Sequence, residues 1–272
     1  MKASILFLFL FLANGAFAQS IPFGNNAKAG SYFNHQGVKI YYEVYGTGKP
    51  LVLLHGNGGS IRSRSNLLPA LSARYKVIAF DSRCHGKTDC PSGYLTYEQM
   101  ASDVNAVLEH LQLDSVYVWG HSDGGIIGLL MAIHYPKIVK KVLASGPNMR
   151  PDTTAVDPAL MPILDKMWNV MKKDSVSVKQ FKLLVDQPHI TAEQLKTIKA
   201  DVLIMGGDRD AIRNEHFVEM FKAIPGAMLC ILPATTHFVY NDRPAWFLEI
   251  MYDFFDKPQN KVTTAQLMSS QF

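Results

Sequence analysis

Six short apolar runs dictate what this chain can fold into. They lie at 51–54, 76–80, 116–119, 139–144, 202–205 and 228–232. The first follows Pro50 and ends at His55-Gly56-Asn57-Gly58-Gly59. Each run is strand-length and too short for a helix. Continuous apolar runs, unlike alternating ones, suit strands covered on both faces, as in a parallel sheet between two helix layers. Residues 31–45 differ. They alternate around Gln36-Gly37, the pattern of an antiparallel hairpin.

Helical periodicity fills the gaps. Thr96 with Gln99 three positions on reads as a capping box, and Met100, Val104, Val107, Leu108 and Leu111 then share one face. Further helices are expected over 123–135, closed by Pro136, over 215–224 and over 245–255. Strand–helix alternation implies an α/β fold: a mostly parallel, twisted, doubly wound sheet with helices on both faces. One stretch breaks the rhythm. Residues 148–199 hold no strand-like run, while 157–171 and 176–185 read as helices. An insertion at that point sits over the carboxyl edge of the sheet, where such folds bind ligands. The expected organisation is therefore a core of 19–147 and 200–256, a short helical cap of 148–199, and a flexible tail of 257–272.

Residues 1–18 carry Lys2, an unbroken apolar run over 5–12 and Ala16-Phe17-Ala18, the pattern of a secretory signal peptide cleaved near Ala18. The run falls short of the ~20 residues a spanning helix needs, and no later segment is long enough. The expected location is periplasmic or secreted. Net charge is +4, with no block of Lys or Arg, which argues against nucleic acid as main partner. With 48% hydrophobic residues the chain is not disordered. Of three cysteines, Cys84 and Cys90 lie close enough in sequence to pair in an oxidising compartment; three free thiols is the other possibility. No Cys/His spacing suggests a metal.

The chemistry sits at Gly120-His121-Ser122-Asp123-Gly124, a G-x-S-x-G motif with a strand before it and a helix after. That context is what a nucleophile elbow needs, with Ser122 projecting at the sheet edge. Serine requires a base held by an acid. Asp208 and Asp210 follow the 202–205 run, and His237 follows the last run. The order Ser122, Asp210, His237 then resembles that of the α/β-hydrolase superfamily, and the likeness covers nearly all of 31–255. The resemblance implies an α/β-hydrolase fold. It implies Ser122 as nucleophile, His237 as base and Asp210, by its spacing from Gly207, as acid, with Asp208 as the fallback. It also implies an oxyanion hole from the Asn57 and Asp123 N–H groups, and no cofactor. Residues 81–88 are similar to the family's D-x-R-G-H-G-x-S stretch, with Cys84 where Gly is usual and Thr88 where Ser is usual.

Gly-x-Ser-Asp-Gly-Gly further resembles a valacyclovir hydrolase-like branch, in which Asp123 would bind a substrate amine; an acidic residue favoured by the helix N-terminus is the other reading. An enol-lactonase-like branch fits equally. Met161, Leu164, Trp168 and Met171 share a face in the cap, so Met161 and Trp168 either line a substrate pocket or pack the cap on the sheet. The function expected is an exported serine hydrolase of small carboxylic esters or lactones, working through an acyl-enzyme. The alternatives are a receptor-like binding protein of this fold with slow turnover, and an iminopeptidase or C–C bond hydrolase. The partner expected is a small-molecule substrate; the natural substrate and oligomeric state stay open.

Overall fold

A computed structural model describes residues 21–269. The expected signal segment, 1–18, lies outside them. The strands are β1 (Gly30–His35), β2 (Val38–Tyr45), β3 (Pro50–Leu54), β4 (Lys76–Phe80), β5 (Val116–His121), β6 (Val139–Ser145), β7 (Asp201–Gly207) and β8 (Met228–Leu232). The helices are α1 (Leu68–Ser72), α2 (Tyr97–His110), α3 (Asp123–His134), α4 (Met161–Met171), α5 (Ser175–Asp186), α6 (Ala192–Lys196), α7 (Asn214–Ala223), α8 (Val239–Asp242), α9 (Pro244–Asp256) and α10 (Thr264–Ser269).

The strands form one sheet in the order β1-β2-β4-β3-β5-β6-β7-β8. β1 and β2 pair antiparallel across the Gln36-Gly37 turn, β2 pairs antiparallel with β4, and every other neighbouring pair is parallel. The chain therefore steps from β3 out to β4 and returns to β5 on the other side of β3. This is the switch point at which loops after neighbouring strands diverge and leave a crevice.

Both faces of the sheet are buried, which is why the strands read as continuous apolar runs. Side chains alternate in a strand. Val52, Leu54 and Val118 thus join one core with Val104 and Leu108 of α2, Ile127 of α3 and Phe217 of α7. Leu51, Leu53 and Trp119 join the other with Leu68 and Leu71 of α1 and Phe247 and Met251 of α9. The Thr96–Gln99 capping box starts α2 as expected. Among the described residues no helix is long and apolar enough to cross a membrane.

One expectation needs correction. Residues 157–171 form a 3₁₀ turn (Pro158–Leu160) followed by α4 rather than one helix. The segment from 257 carries α10. Thr263 and Gln266 bond reciprocally, through Gln266 N–H to Thr263 Oγ1 at 3.2 Å and Thr263 N–H to Gln266 Oε1 at 2.8 Å. That is a capping box, and it starts a helix that buries nothing. Cys84 and Cys90 are joined in a disulfide, leaving Cys230 free.

Trp119 is fully buried, its ring 4.8 Å from that of Phe247. Phe247→Ala should cost about 3–5 kcal/mol of stability. In urea unfolding the midpoint should fall with the slope unchanged.

Candidate active site

Ser122 lies between the end of β5 and the start of α3, at φ 54° and ψ −119°. A non-glycine residue at positive φ is strained, by about 1–3 kcal/mol. The surroundings hold it there. A Cβ on Gly120 would come within 1.9 Å of Gly124 O, and one on Gly124 within 2.5 Å of Leu54 O. The motif glycines thus serve close approach of β5, α3 and β3, while the unusual backbone conformation falls on the serine. Ser122 lines a cavity of about 230 Å³ together with Asn57, Arg64, His237, Phe238 and Tyr240.

Adjacent strands β7 and β8 deliver the other two residues. Asp210 Oδ1 lies 2.6 Å from His237 Nδ1. The Asp210 carboxylate is wholly buried and also accepts the N–H groups of Gly207 at 3.2 Å and Ile212 at 3.0 Å. With Nδ1–H donated to Asp210, a neutral His237 presents the lone pair of Nε2. Asp208 is turned away. It is exposed and accepts Thr235 N–H at 3.2 Å, so the fallback acid has no contact with the histidine.

The loop after β3 is braced by two histidines. His55 Nε2 accepts Ser82 N–H at 3.0 Å and its Nδ1 faces Gly56 O at 2.8 Å. His85 Nε2 accepts Gly58 N–H at 3.0 Å and its Nδ1 faces Arg83 O at 2.8 Å. Accepting at Nε2 requires the neutral ring, with the proton on Nδ1. Burial also drives the His55 pKa well below its ordinary value. Among the described residues no acceptor meets the main-chain N–H of Asn57 or of Asp123.

The Asp123 side chain is engaged by donors of the protein itself. It is 4% exposed and is absent from the cavity lining. Asn57 Nδ2 donates to its Oδ2 at 3.0 Å and to Gln180 O of α5 at 3.0 Å, and the Tyr97 hydroxyl also bonds the carboxyl. Burial raises the Asp123 pKa, and His85 and these donors oppose the rise. Met161 and Trp168 also fall outside the cavity lining. Trp168 packs on Phe181 of α5, ring centroids 5.2 Å apart, and Met161 is half-buried at the start of α4. Trp168 thus packs helix on helix.

Among the lining residues that escaped the sequence reading as site components are Arg64, His121, Phe238 and Tyr240. Arg64 closes the 3₁₀ turn Ile61–Arg64 and is 2% exposed. Its Nη1 donates to Ser63 O at 3.1 Å and to the Tyr240 hydroxyl at 2.8 Å, and the guanidinium lies over the Tyr240 ring at 4.3 Å. His121 is buried 4.7 Å from the His237 ring, and desolvation holds its pKa far down. Phe238 and Tyr240 had a signal, since they follow His237 within three residues, at the start of α8. Arg64 had none, because its partner is 176 residues away.

A family model for the alpha/beta hydrolase fold matches residues 49–271. An uncharacterized hydrolase of Bacillus subtilis is 28% identical over 82% of this chain and 96% of its own. An esterase from Exiguobacterium antarcticum has a similar structure, with TM-score 0.74 and 24% identity over 84% of this chain and all of its own. The enol-lactonase of Burkholderia xenovorans superposes with TM-score 0.71 at 20% identity, over 84% of this chain and all of its own. The match over most of the length, on a sheet with this strand order and elbow, means that the chain belongs to the alpha/beta hydrolase fold family.

Proposed function

We propose that the chain, a hydrolase by its family, is an exported serine hydrolase that opens small carboxylic esters or lactones. The observation that carries the reading is the 2.6 Å Asp210–His237 pair, with His237 and the strained Ser122 lining one cavity. Similar structures include an esterase and an enol-lactonase, which motivate that substrate class, and also meta-cleavage product hydrolases, which keep C–C bonds as the second reading.

In this reading Ser122 Oγ adds to the ester carbonyl while His237 Nε2 takes its proton. Asp210 keeps the imidazole in the tautomer that accepts at Nε2 and stabilises the imidazolium. The free N–H groups of Asn57 and Asp123 meet the oxyanion; each such donor is worth ~3–4 kcal/mol in the transition state. His237 returns the proton to the leaving alkoxide as the C–O bond breaks. Water, deprotonated by the same nitrogen, then attacks the acyl-enzyme and releases the acid and Ser122. Residues 148–199 act as the cap. Asn57 Nδ2 bonds Gln180 O, and Gln180 Nε2 donates to Cys84 O at 2.6 Å, so α5 holds the loops after β3 and β4. Export rests on residues 1–18, and the Cys84–Cys90 disulfide agrees with an oxidising compartment.

With short p-nitrophenyl esters, Ser122→Ala should abolish turnover and labelling by a fluorophosphonate. Asp210→Asn should lower kcat by about 10⁴-fold, the scale of a wrong histidine tautomer, whereas Asp208→Asn should retain activity. Equal losses at 208 and 210 would undo the assignment. The ratio of rates on alanine esters and plain esters should be the same in Asp123→Asn as in the native chain. A fall in that ratio would restore Asp123 as an amine site. Mass analysis of exported protein should find a chain starting at Gln19; retention of the full chain in the cytoplasm would refute export.

A further inference from the structure

The chain has two buried arginines, and they are treated differently. Arg83, 6% exposed, grips Asp103 with two nitrogens, Nη2 to Oδ1 at 2.7 Å and Nε to Oδ2. Arg64, 2% exposed, has no carboxylate partner among the described residues. Its Nη1 is used by Ser63 and Tyr240, both neutral. Its Nε is buried with no acceptor, and no hydrogen bond is made by Nη2. Around it are the rings of Tyr240 at 4.3 Å and Trp119 at 5.9 Å, whose faces attract a cation without neutralising it. The histidines nearby do not supply negative charge either. An unpaired charge held out of water is costly unless something pairs with it. A guanidinium stays protonated, so the site cannot escape the cost by losing a proton.

Arg64 lines the same cavity as Ser122 and His237. We propose that it is the specificity residue for a second, non-reacting carboxylate on the substrate: the natural substrate is a short-chain ester or lactone that carries a free acid group. The proposal rests on the hydrolase reading and adds the charge of the substrate to it. With Nη1 already bonded and Nε buried, Nη2 is the donor left for a carboxylate, in a charge-assisted bond. On binding, the substrate anion would supply the partner that Asp103 supplies to Arg83. The cation–π contacts with Tyr240 hold the guanidinium in place beforehand, so little ordering remains to be done on binding.

The test uses matched pairs that differ only in charge, followed by acid release in a pH-stat. Ethyl hydrogen glutarate against its monoamide, ethyl glutaramate, places the acid on the acyl side. 4-Acetoxybutanoate against 4-acetoxybutanamide places it on the alcohol side. The native enzyme should prefer the acid to the amide by tenfold or more in kcat/KM on one of the two sides. Arg64→Gln should bring that ratio close to one, and Arg64→Lys should keep part of it. A native ratio of one or less on both pairs overturns the proposal, and so stands even if Arg64→Gln does not fold. Equal losses on acid and amide in Arg64→Gln also overturn it, and would assign Arg64 to charge at the reacting carbonyl. A binding measurement separates this from failure of the hydrolase reading. In Ser122→Ala, millimolar glutarate should raise the melting temperature and glutaramide should not, and adding Arg64→Gln should remove the effect. Absence of that shift sinks the anion site, whereas absence of turnover and of fluorophosphonate labelling in the native chain sinks the hydrolase reading.

Discussion

The close approach of three backbones at the end of β5 governs the rest of the site. β3 and β5 are neighbours with Leu54 opposite Gly120, and α3 must leave β5 at once without colliding with β3. Only glycine fits at 120 and 124, because a Cβ would meet main-chain atoms that cannot give way. The turn so compressed leaves one residue between strand and helix, and Ser122 takes the left-handed conformation. The same neighbourhood brings the loop after β3 beside the serine. Strain at Ser122 is tolerated because the two cores clamp the elements on either side: α3 is buried along nearly its whole length, and Trp119 just before the turn is wholly enclosed.

Elements that answer to local rules were legible in the sequence. The six apolar runs are strands because a strand covered on both faces has no polar side to show, and 228–232 matches β8 at both ends. The Thr96 box starts α2 because its side chain satisfies an otherwise unpaired N–H. The Asp210–His237 contact was legible only through order and resemblance, since nothing in either loop states which of two aspartates turns inward. Asp210 wins because it also accepts two main-chain N–H groups of its own loop, which fixes its rotamer, while Asp208 is spent on Thr235.

What was not legible shares a cause. A stripe of apolar residues at helical spacing says that a helix face is covered, never by what. Trp168 is covered by Phe181, so the stripe holds α4 on α5. Asp123 beside the nucleophile could have faced the cavity or the protein. The choice was made by Asn57 and Tyr97, from segments 66 and 26 residues away. Arg64 is the extreme case. In Ile61-Arg62-Ser63-Arg64 two arginines look alike, yet Arg62 is exposed and Arg64 is buried against Tyr240 at the cavity. α10 is the reverse, because its capping box is visible in Thr263-x-x-Gln266 and only the lack of an apolar face argued against a helix.

Charge around the cavity follows from these placements. Asp123 stays buried because the N-terminus of α3 favours a carboxylate there and because Asn57 and Tyr97 donate to it. Asn57 stands between it and the cavity, and Tyr97 is buried behind it. Asp210 is likewise satisfied by His237 and two main-chain groups. His55 and His121 are kept neutral by burial. With both acids spoken for, Arg64 is left as the one cation in the lining of the Ser122 cavity without a counter-charge among the described residues. A guanidinium in the lining repels a cationic group on the substrate and attracts an anionic one. The protein donors that occupy Asp123 and the missing counter-charge at Arg64 therefore argue in the same direction.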